Sequence, residues 1–103
     1  IVNLYNKRSP ELVTKIRDGI RRKDPYLLRH AAHNLRGMVS NFASESALQA
    51  AHLIEQAGEK EDFSQADYLF ENLVKELTDL NQALQKIQEN NNFPSLSSNY
   101  LSS

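Results

Sequence analysis

Three residues within about one helical turn could do chemistry together: His33, Arg36 and Gly37. A neutral imidazole whose pKa lies near its ordinary value of about 6.5 is nucleophilic at pH 7 without a dedicated base. Arg36, three residues further on, can hold an anionic group near the ring by charge-assisted hydrogen bonds. A glycine inside a helix costs roughly 1 kcal/mol relative to alanine, so Gly37 indicates that something large approaches His33 closely. Phosphoryl transfer requires such a nucleophile with positive charge beside it.

The sequence lacks the other parts of a phosphotransfer site. It has no glycine-rich loop that could cradle a nucleotide and no carboxylates in a pattern suited to Mg²⁺. The phosphoryl group, the metal ion and most of the catalysis must therefore come from a partner protein. We expect this chain to bind no cofactor of its own.

The other two histidines allow alternative interpretations. His30 and His33 are spaced as neighbours on a helix, so they could bind a metal ion together, but no carboxylate stands in the same patch as a third ligand. We favour contact between His30 and a docking partner, and we predict no metal site. His52 falls at the edge of an apolar helix face, where a partly buried structural histidine is expected.

Composition limits the class of protein. A chain of 103 residues forms one compact domain, and a net charge of −1 gives no basic excess for binding nucleic acid. No apolar run approaches the roughly 20 residues that span a bilayer, so we expect no membrane contact by this domain. The absence of cysteine fits a cytoplasmic location. The start at Ile1 suggests a piece of a longer protein, whose other parts could be anchored in a membrane.

Helix-forming residues dominate, and start signals recur along the chain. Ser9 followed by Pro10, and Asp24 followed by Pro25, each read as an N-cap and a first helical residue. Ser44 or Ser46 can cap a third helix, residues 62–65 have the spacing of a capping box, and Gly58 stands where a helix should stop. We predict four helices, at about 10–22, 25–41, 45–58 and 62–89, with a short lead-in helix over 1–7. An Asn- and Ser-rich tail of residues 90–103 should leave the bundle of residues 1–89.

Each predicted helix has an apolar side, which favours an all-α, antiparallel up-down four-helix bundle. The last helix has a heptad seam, formed by Ala66, Phe70, Leu73, Leu77, Leu80, Leu84 and Ile87. Such a seam can pack within the bundle or form a dimeric coiled coil. We favour packing within a monomer, because the other three helices can cover the seam.

The residues of the second predicted helix that could take part in chemistry lie on the side away from the core. At about 100° per residue, one face is formed by Leu28, Ala32, Leu35 and Val39. The opposite face is formed by Tyr26, His33 and Gly37, with His30 and Ser40 close to it. Arg29 and Arg36 flank that surface. We therefore predict that the His33 side chain is exposed to solvent.

The stretch His33-Asn-Leu-Arg36-Gly37 resembles the His-x-Leu-[Lys/Arg]-Gly signature of histidine-containing phosphotransfer (Hpt) domains of two-component phosphorelays. Residues 40–44 and 53–55 are similar to later elements of that family, so the resemblance covers roughly residues 8–85. It implies a four-helix bundle with an exposed phosphorylated histidine on the second bundle helix. It also implies response-regulator receiver domains as partners, with Mg²⁺ held by the receiver. The domain would carry the phosphoryl group, without autonomous catalytic activity, within a hybrid sensor histidine kinase.

The resemblance assigns roles residue by residue. His33 would be the phosphoacceptor, reacting through Nε2, and Arg36 would stabilise the phosphoryl group. Gly37, Ser40, His30 and Asn41 would shape the surface on which a receiver docks. Two positions differ from the family's usual pattern: Arg36 stands where lysine is common, and Ala43 where glycine is common. The alternative function is a helical docking or dimerisation module that transfers no phosphoryl group.

Overall fold

The computed structural model describes residues 2–102, with side chains from residue 2 to residue 89. Over this range the chain forms four helices: α1 (Val2–Arg22), α2 (Pro25–Val39), α3 (Glu45–Lys60) and α4 (Ala66–Ser102). Consecutive helices pack against each other, and α4 closes the ring against α1. Because the turns between them are short, neighbouring helices run antiparallel. The predicted all-α four-helix bundle is confirmed. None of the helices in this range is both long and apolar enough to cross a bilayer.

The first helix differs from the prediction. It is continuous from Val2 to Arg22, so the predicted lead-in helix and the N-cap at Ser9 are wrong, and Pro10 lies inside the helix. Tertiary packing explains the difference. Tyr5 is buried, with its ring edge-on to that of Phe42 at 5.2 Å, and Ser9 is buried as well. Continuing the helix through Pro10 keeps the Tyr5 ring in the core despite the backbone hydrogen bond that proline cannot make.

The second helix begins at the residues that its local sequence signals predicted. Asp24 caps it by accepting a hydrogen bond from the Leu27 amide at 3.1 Å, and Pro25 is the first helical residue. Its inner face consists of residues with no exposed surface: Leu28, Ala32, Leu35 and Val39. Its outer face carries the exposed residues Tyr26, His30, His33 and Gly37. The helix ends at Val39, before the predicted end near residue 41, and the exposed Ser40 is its C-cap. Both faces agree with the prediction.

The third helix begins as predicted and ends later. Ser44 is the N-cap, while the C-terminal residue in left-handed conformation is Glu61, at φ 53°. Gly58 does not stop the helix but lies buried inside it. A β-carbon at Gly58 would lie 2.8 Å from the backbone nitrogen of Arg29, so the glycine is required for close packing of α3 on α2. Gly19 of α1 has a similar role, because a β-carbon there would lie 3.0 Å from the nitrogen of Leu28.

The last helix begins at Ala66 rather than at residue 62. The Asp62 carboxylate accepts hydrogen bonds from the amide and the hydroxyl of Ser64, so it forms a turn instead of a helix cap. The seam residues Ala66, Leu73, Leu77, Leu80 and Leu84 are buried within the bundle. Phe70 is half-buried, and Ile87 is exposed. The bundle itself therefore covers the seam as far as Leu84.

The backbone of α4 continues to Ser102, beyond the predicted end near residue 89. Side chains from residue 90 onward lie outside the described residues. The separation of a bundle (1–89) from a tail (90–103) stays a prediction.

Candidate functional site

His33 lies near the middle of the outer face of α2, and 59% of its side chain is exposed. The predicted exposure of the imidazole is confirmed. The helix places His33 there because Leu28, Ala32, Leu35 and Val39, on the opposite side of the helix, are buried in the core. The burial of one face of α2 thus fixes the direction of the imidazole on the other.

A carboxylate from α3 holds the imidazole in place. The Nδ1 atom of His33 lies 2.9 Å from Oε2 of Glu55, a residue that is only 6% exposed. Glu55 lies one turn after Ala51 and one turn before Gly58, on the side of α3 that packs closely against α2. These small residues bring the two helices close enough for the carboxylate to reach the ring.

This contact fixes the tautomer of His33. A carboxylate can only accept a hydrogen bond at Nδ1, so Nδ1 carries the proton and donates it. In the neutral ring, Nε2 then bears the free lone pair. Among the residues with described side chains, none hydrogen-bonds to Nε2. The nucleophilic nitrogen is therefore the one on the outer side of the exposed ring.

Arg36 completes a three-residue cluster. Its Nε donates to Oε1 of Glu55 at 2.5 Å, and its Nη2 lies 3.5 Å from Oε2. The same Nη2 lies 3.3 Å from Nδ1 of His33, but a protonated Nδ1 cannot accept a hydrogen bond from it. The guanidinium thus pairs with the carboxylate and lies beside the imidazole, and it has further N–H donors that this pair does not use.

The cluster keeps Glu55 ionised. Burial alone would raise the pKa of the Glu55 carboxyl, but the hydrogen bonds from Arg36 and His33, together with their charges, lower it below its ordinary value. A buried carboxylate that accepts hydrogen bonds on both oxygens is a stable negative charge beside the ring. It can stabilise positive charge that develops on the imidazole.

Gly37 lies one turn after His33 and faces open space. A β-carbon at this position would meet no atom within 4 Å, so the folded chain itself does not require a glycine there. Ser40 donates its hydroxyl to the Gly37 carbonyl at 2.6 Å, and the Asn41 amide donates to the Met38 carbonyl at 3.1 Å. Both side chains satisfy carbonyl groups at the end of α2 and keep the surface beside Gly37 low.

Among the described residues, the other two histidines form no hydrogen bond with this cluster. His30 is exposed on the outer face, where its ring packs against Tyr26. His52 is half-buried, as predicted, and lies with Arg36 along a groove of about 520 Å³. Its Nδ1 atom is buried and has no hydrogen-bond partner among the residues whose side chains are described. Within the same residues, no three His, Asp or Glu side chains come together in a group that could hold a metal ion.

Comparison with known families agrees with the geometry. The model of the family described as Hpt domain matches residues 1–90. The chain belongs to the Hpt family. Hpt domains in general are phosphocarriers of two-component phosphorelays, which hold a phosphoryl group on histidine and interact with receiver domains. Comparison with curated proteins and with solved structures finds no match.

Glu55 is the candidate site residue of this Hpt domain to which the sequence analysis gave no role, although it belongs to the stretch 53–55 that resembles the family. The contact with His33 joins two helices across 22 positions of sequence, so helical spacing within α2 could not reveal it. One signal was available. Glu55 is an acid beside a helix face made of small and apolar residues: Ala47, Ala51, Ile54 and Gly58. A charged residue at such a position is expected to be paired when the face is buried.

Proposed function

We propose that this Hpt domain accepts a phosphoryl group on Nε2 of His33 from a receiver aspartate and passes it to the aspartate of another receiver. The observation that carries the proposal is the contact of Nδ1 with Glu55, which leaves the exposed Nε2 as the nucleophile. Membership of the Hpt family supports the receiver domains as partners. Family membership is also the support for placing the domain in a hybrid sensor histidine kinase.

The proposed step conserves atoms and charge. The Nε2 lone pair attacks phosphorus, the bond from phosphorus to the aspartyl oxygen breaks, and the receiver keeps the carboxylate. The ring retains its Nδ1 proton and gains positive charge, which the Glu55 carboxylate at 2.9 Å stabilises. Transfer to the second receiver reverses these events. Mg²⁺ would be held by the receiver, where it would supply positive charge opposite the phosphoryl oxygens.

The residues around His33 have separate roles in positioning the ring, balancing charge and docking the receiver. Glu55 positions the ring, so less rotational freedom is lost when the receiver docks. Arg36 balances the charge of Glu55 and directs unused N–H donors toward the phosphoryl oxygens. Gly37 leaves room for the receiver backbone to approach. Ser40, His30 and Asn41 form the surrounding docking surface.

The test uses the substitution His33→Gln. We expect a panel of receiver domains, phosphorylated from radiolabelled acetyl phosphate with Mg²⁺, to label the wild-type chain and not this variant. The label should be lost in acid and retained in base, as phosphohistidine is. Circular dichroism should show equal helicity, because the replaced side chain is exposed.

His30→Gln is the matched control, since it removes the other exposed histidine of the outer face. At saturating receiver it should retain the acid-labile label, because His30 belongs to the proposed docking surface and not to the acceptor site. Labelling of His33→Gln at the wild-type level would exclude His33 as the acceptor. A folded wild-type chain that no receiver labels would exclude phosphotransfer and favour the non-transferring docking module.

A further inference from the structure

The face formed by α1 and α4 leaves apolar surface uncovered. Among the described residues, these two helices contact each other less than any other neighbouring pair. A groove of about 270 Å³ lies between them, and its apolar lining consists of Pro10, Val13, Val74 and Leu77. Val74 is 40% exposed and Pro10 is exposed as well, so the bundle itself does not cover this apolar patch.

One end of this face carries amides and no charge. A pocket of about 390 Å³ shares Asn81 with the groove and is also lined by Asn6, Gln85 and Gln88. None of the α4 residues that line the groove or this pocket is charged. The same stretch of α4 nevertheless contains the charged residues Lys75, Glu76, Asp79 and Lys86. Depletion of charge at the centre of a surface patch is typical of protein interfaces.

The other end of this face carries opposite charges on its two helices. One and two turns beyond Val13, α1 has Arg17 and Arg21, and at the corresponding level α4 has Glu71 and Asp67. All four side chains are exposed, and none of them forms an ion pair among the described residues. The face therefore presents unpaired basic groups on α1 beside unpaired acidic groups on α4.

A second copy of the chain complements this arrangement. Because α1 and α4 run antiparallel, a two-fold axis parallel to the bundle places α1 of each copy on α4 of the other, with residues kept at the same level. Val13 of one copy then lies opposite Val74 of the other, and Arg17 lies opposite Glu71. Apolar groups meet apolar groups, and basic groups meet acidic ones.

The remaining charges near this face do not oppose such a pairing. Nζ of Lys75 lies 3.8 Å from Oε2 of Glu76, which offsets part of its charge. Lys7 lies toward the uncharged end, at the level of the amides of α4. Pairing α1 with α1 would instead be repulsive, because each copy of this helix has six basic and two acidic residues.

The size of the face indicates how strong the association is. A helix of the length of α1 is about 31 Å long, and two helices side by side are about 20 Å wide, which gives roughly 600 Å² for each copy. The total of about 1,200 Å² is at the lower limit of specific protein interfaces. The face therefore suits a weak, reversible dimer.

We infer that the face formed by α1 and α4 is the interface of a homodimer, in which Val13 of each copy packs on Val74 of the other. Arg17 of each copy pairs with Glu71 of the other. The cluster around His33 lies on α2 and α3, across the ring of helices from this face, so both histidines stay exposed in the dimer. The inference does not depend on the proposed phosphotransfer.

The heptad seam of α4 stays inside each bundle in this dimer. The association therefore differs from the dimeric coiled coil that the seam alone allows. The monomer favoured by the sequence is the form that we expect at low concentration.

Sedimentation equilibrium of the full chain, from about 5 µM to about 1 mM, measures the association. The test variant is Val74→Lys, which places a charge in the apolar middle of the face. The matched control is Ile87→Lys, because Ile87 is 53% exposed on the same helix but belongs to the seam and lines neither the groove nor the pocket. Since both replaced side chains are exposed, circular dichroism should show wild-type helicity for both variants.

The mass of the wild-type chain should rise from 11.7 kDa toward twice that value, with a dissociation constant on the order of 100 µM. Val74→Lys should raise this constant about tenfold or more, because two lysines enter the interface. Ile87→Lys should leave it within about twofold of wild type.

An exchange of charges tests the orientation of the two copies. Arg17→Glu and Glu71→Arg should each weaken the association about fivefold, since each creates two like-charged pairs related by the two-fold axis. The double variant should return to within about twofold of wild type. A double variant that associates more weakly than either single variant would contradict the pairing of α1 with α4.

A wild-type chain that stays monomeric throughout this range of concentration would overturn the inference. A dimer that Ile87→Lys weakens and Val74→Lys does not would place the contact on the heptad seam and would overturn it as well. Receiver labelling of folded Val74→Lys should match that of wild type, and its loss would contradict the separation of this face from His33. A panel of receivers that labels no variant would remove the proposed function without changing the measured masses.

Discussion

Glycines lie at both faces of α2, but their surroundings are opposite. On the inner face, Gly58 of α3 and Gly19 of α1 press against the backbone of Arg29 and Leu28, where a β-carbon would collide. On the outer face, Gly37 has no atom near the place where its β-carbon would be. All three glycines lie within helices, where each costs roughly 1 kcal/mol relative to alanine.

The comparison separates glycines that serve the fold from one that does not. Close helix packing offsets the cost at Gly19 and Gly58, because it brings apolar faces together and places Glu55 beside His33. No contact within the described residues offsets the cost at Gly37. A glycine in a helix that the fold does not use, one turn from a nucleophile, supports a requirement imposed by a partner.

The largest expected effect is on the inner face. Gly58→Ala places a methyl group 2.8 Å from the nitrogen of Arg29, and only a shift of α2 or α3 can relieve it. We expect the free energy of unfolding to fall by about 2 kcal/mol, after the gain in helix propensity, and the melting temperature by roughly 10 °C. Thermal and urea unfolding measure both. A variant as stable as wild type would show that the helices are not packed this closely.

The next largest expected effect concerns Glu55, whose carboxylate connects α3 with His33 on the outer face of α2. The pKa of Glu55 is lower in the folded chain than its ordinary value of about 4.3, so the carboxylate stabilises the fold above that pH. This contribution is lost as the pH falls through the lowered pKa. We expect Glu55→Gln to be less stable than wild type at pH 7 and the difference to shrink below about pH 4.

Urea unfolding of wild type and Glu55→Gln at pH 7 and pH 3 measures this difference. Glu71→Gln is a suitable control, because Glu71 lies exposed inside α4, away from the His33 cluster. Its effect should be small at both values of pH. A stability difference for Glu55→Gln that stays constant with pH would contradict an ionised, hydrogen-bonded Glu55.

The smallest expected effect has the opposite sign. Gly37→Ala should raise the free energy of unfolding by up to about 1 kcal/mol, since the methyl group meets open space and alanine favours the helix. Gly37→Leu should also fold normally but weaken receiver docking, because its larger side chain stands beside His33. Chemical unfolding and a receiver-binding assay measure the two effects. Destabilisation by Gly37→Ala would show that the fold requires this glycine. Full receiver affinity in Gly37→Leu would show that the partner does not require it.

Much of this architecture could be predicted from local sequence. The apolar residues of α2 recur at helical spacing, which was enough to place His33, His30 and Gly37 on the opposite face. Asp24 and Ser44 cap the helices that follow them, since capping depends on a few neighbouring residues. The resemblance in the motif around His33 also identified the family that the comparison shows.

The errors arose where contacts between helices outweigh local preference. Pro10 and Gly58 are helix-ending residues by local rules, yet both lie inside helices, because burial of Tyr5 and close packing on Arg29 decide those positions. The contact of Glu55 with His33 was not predicted, for a related reason. The partners of Glu55, His33 and Arg36, lie on another helix, and only the fold brings the three together.

The hydrogen bond from Nδ1 of His33 to Glu55 makes the imidazole nitrogens sensitive to tertiary structure in a magnetic resonance spectrum. The free imidazole of a flexible peptide exchanges between its two neutral tautomers, whereas this ring is held in one of them by a residue on another helix. The tautomer is therefore a property of tertiary structure and not of the local motif. The nitrogen resonances of a single side chain report whether α2 and α3 are in contact, so this histidine is a built-in spectroscopic probe of the folded bundle.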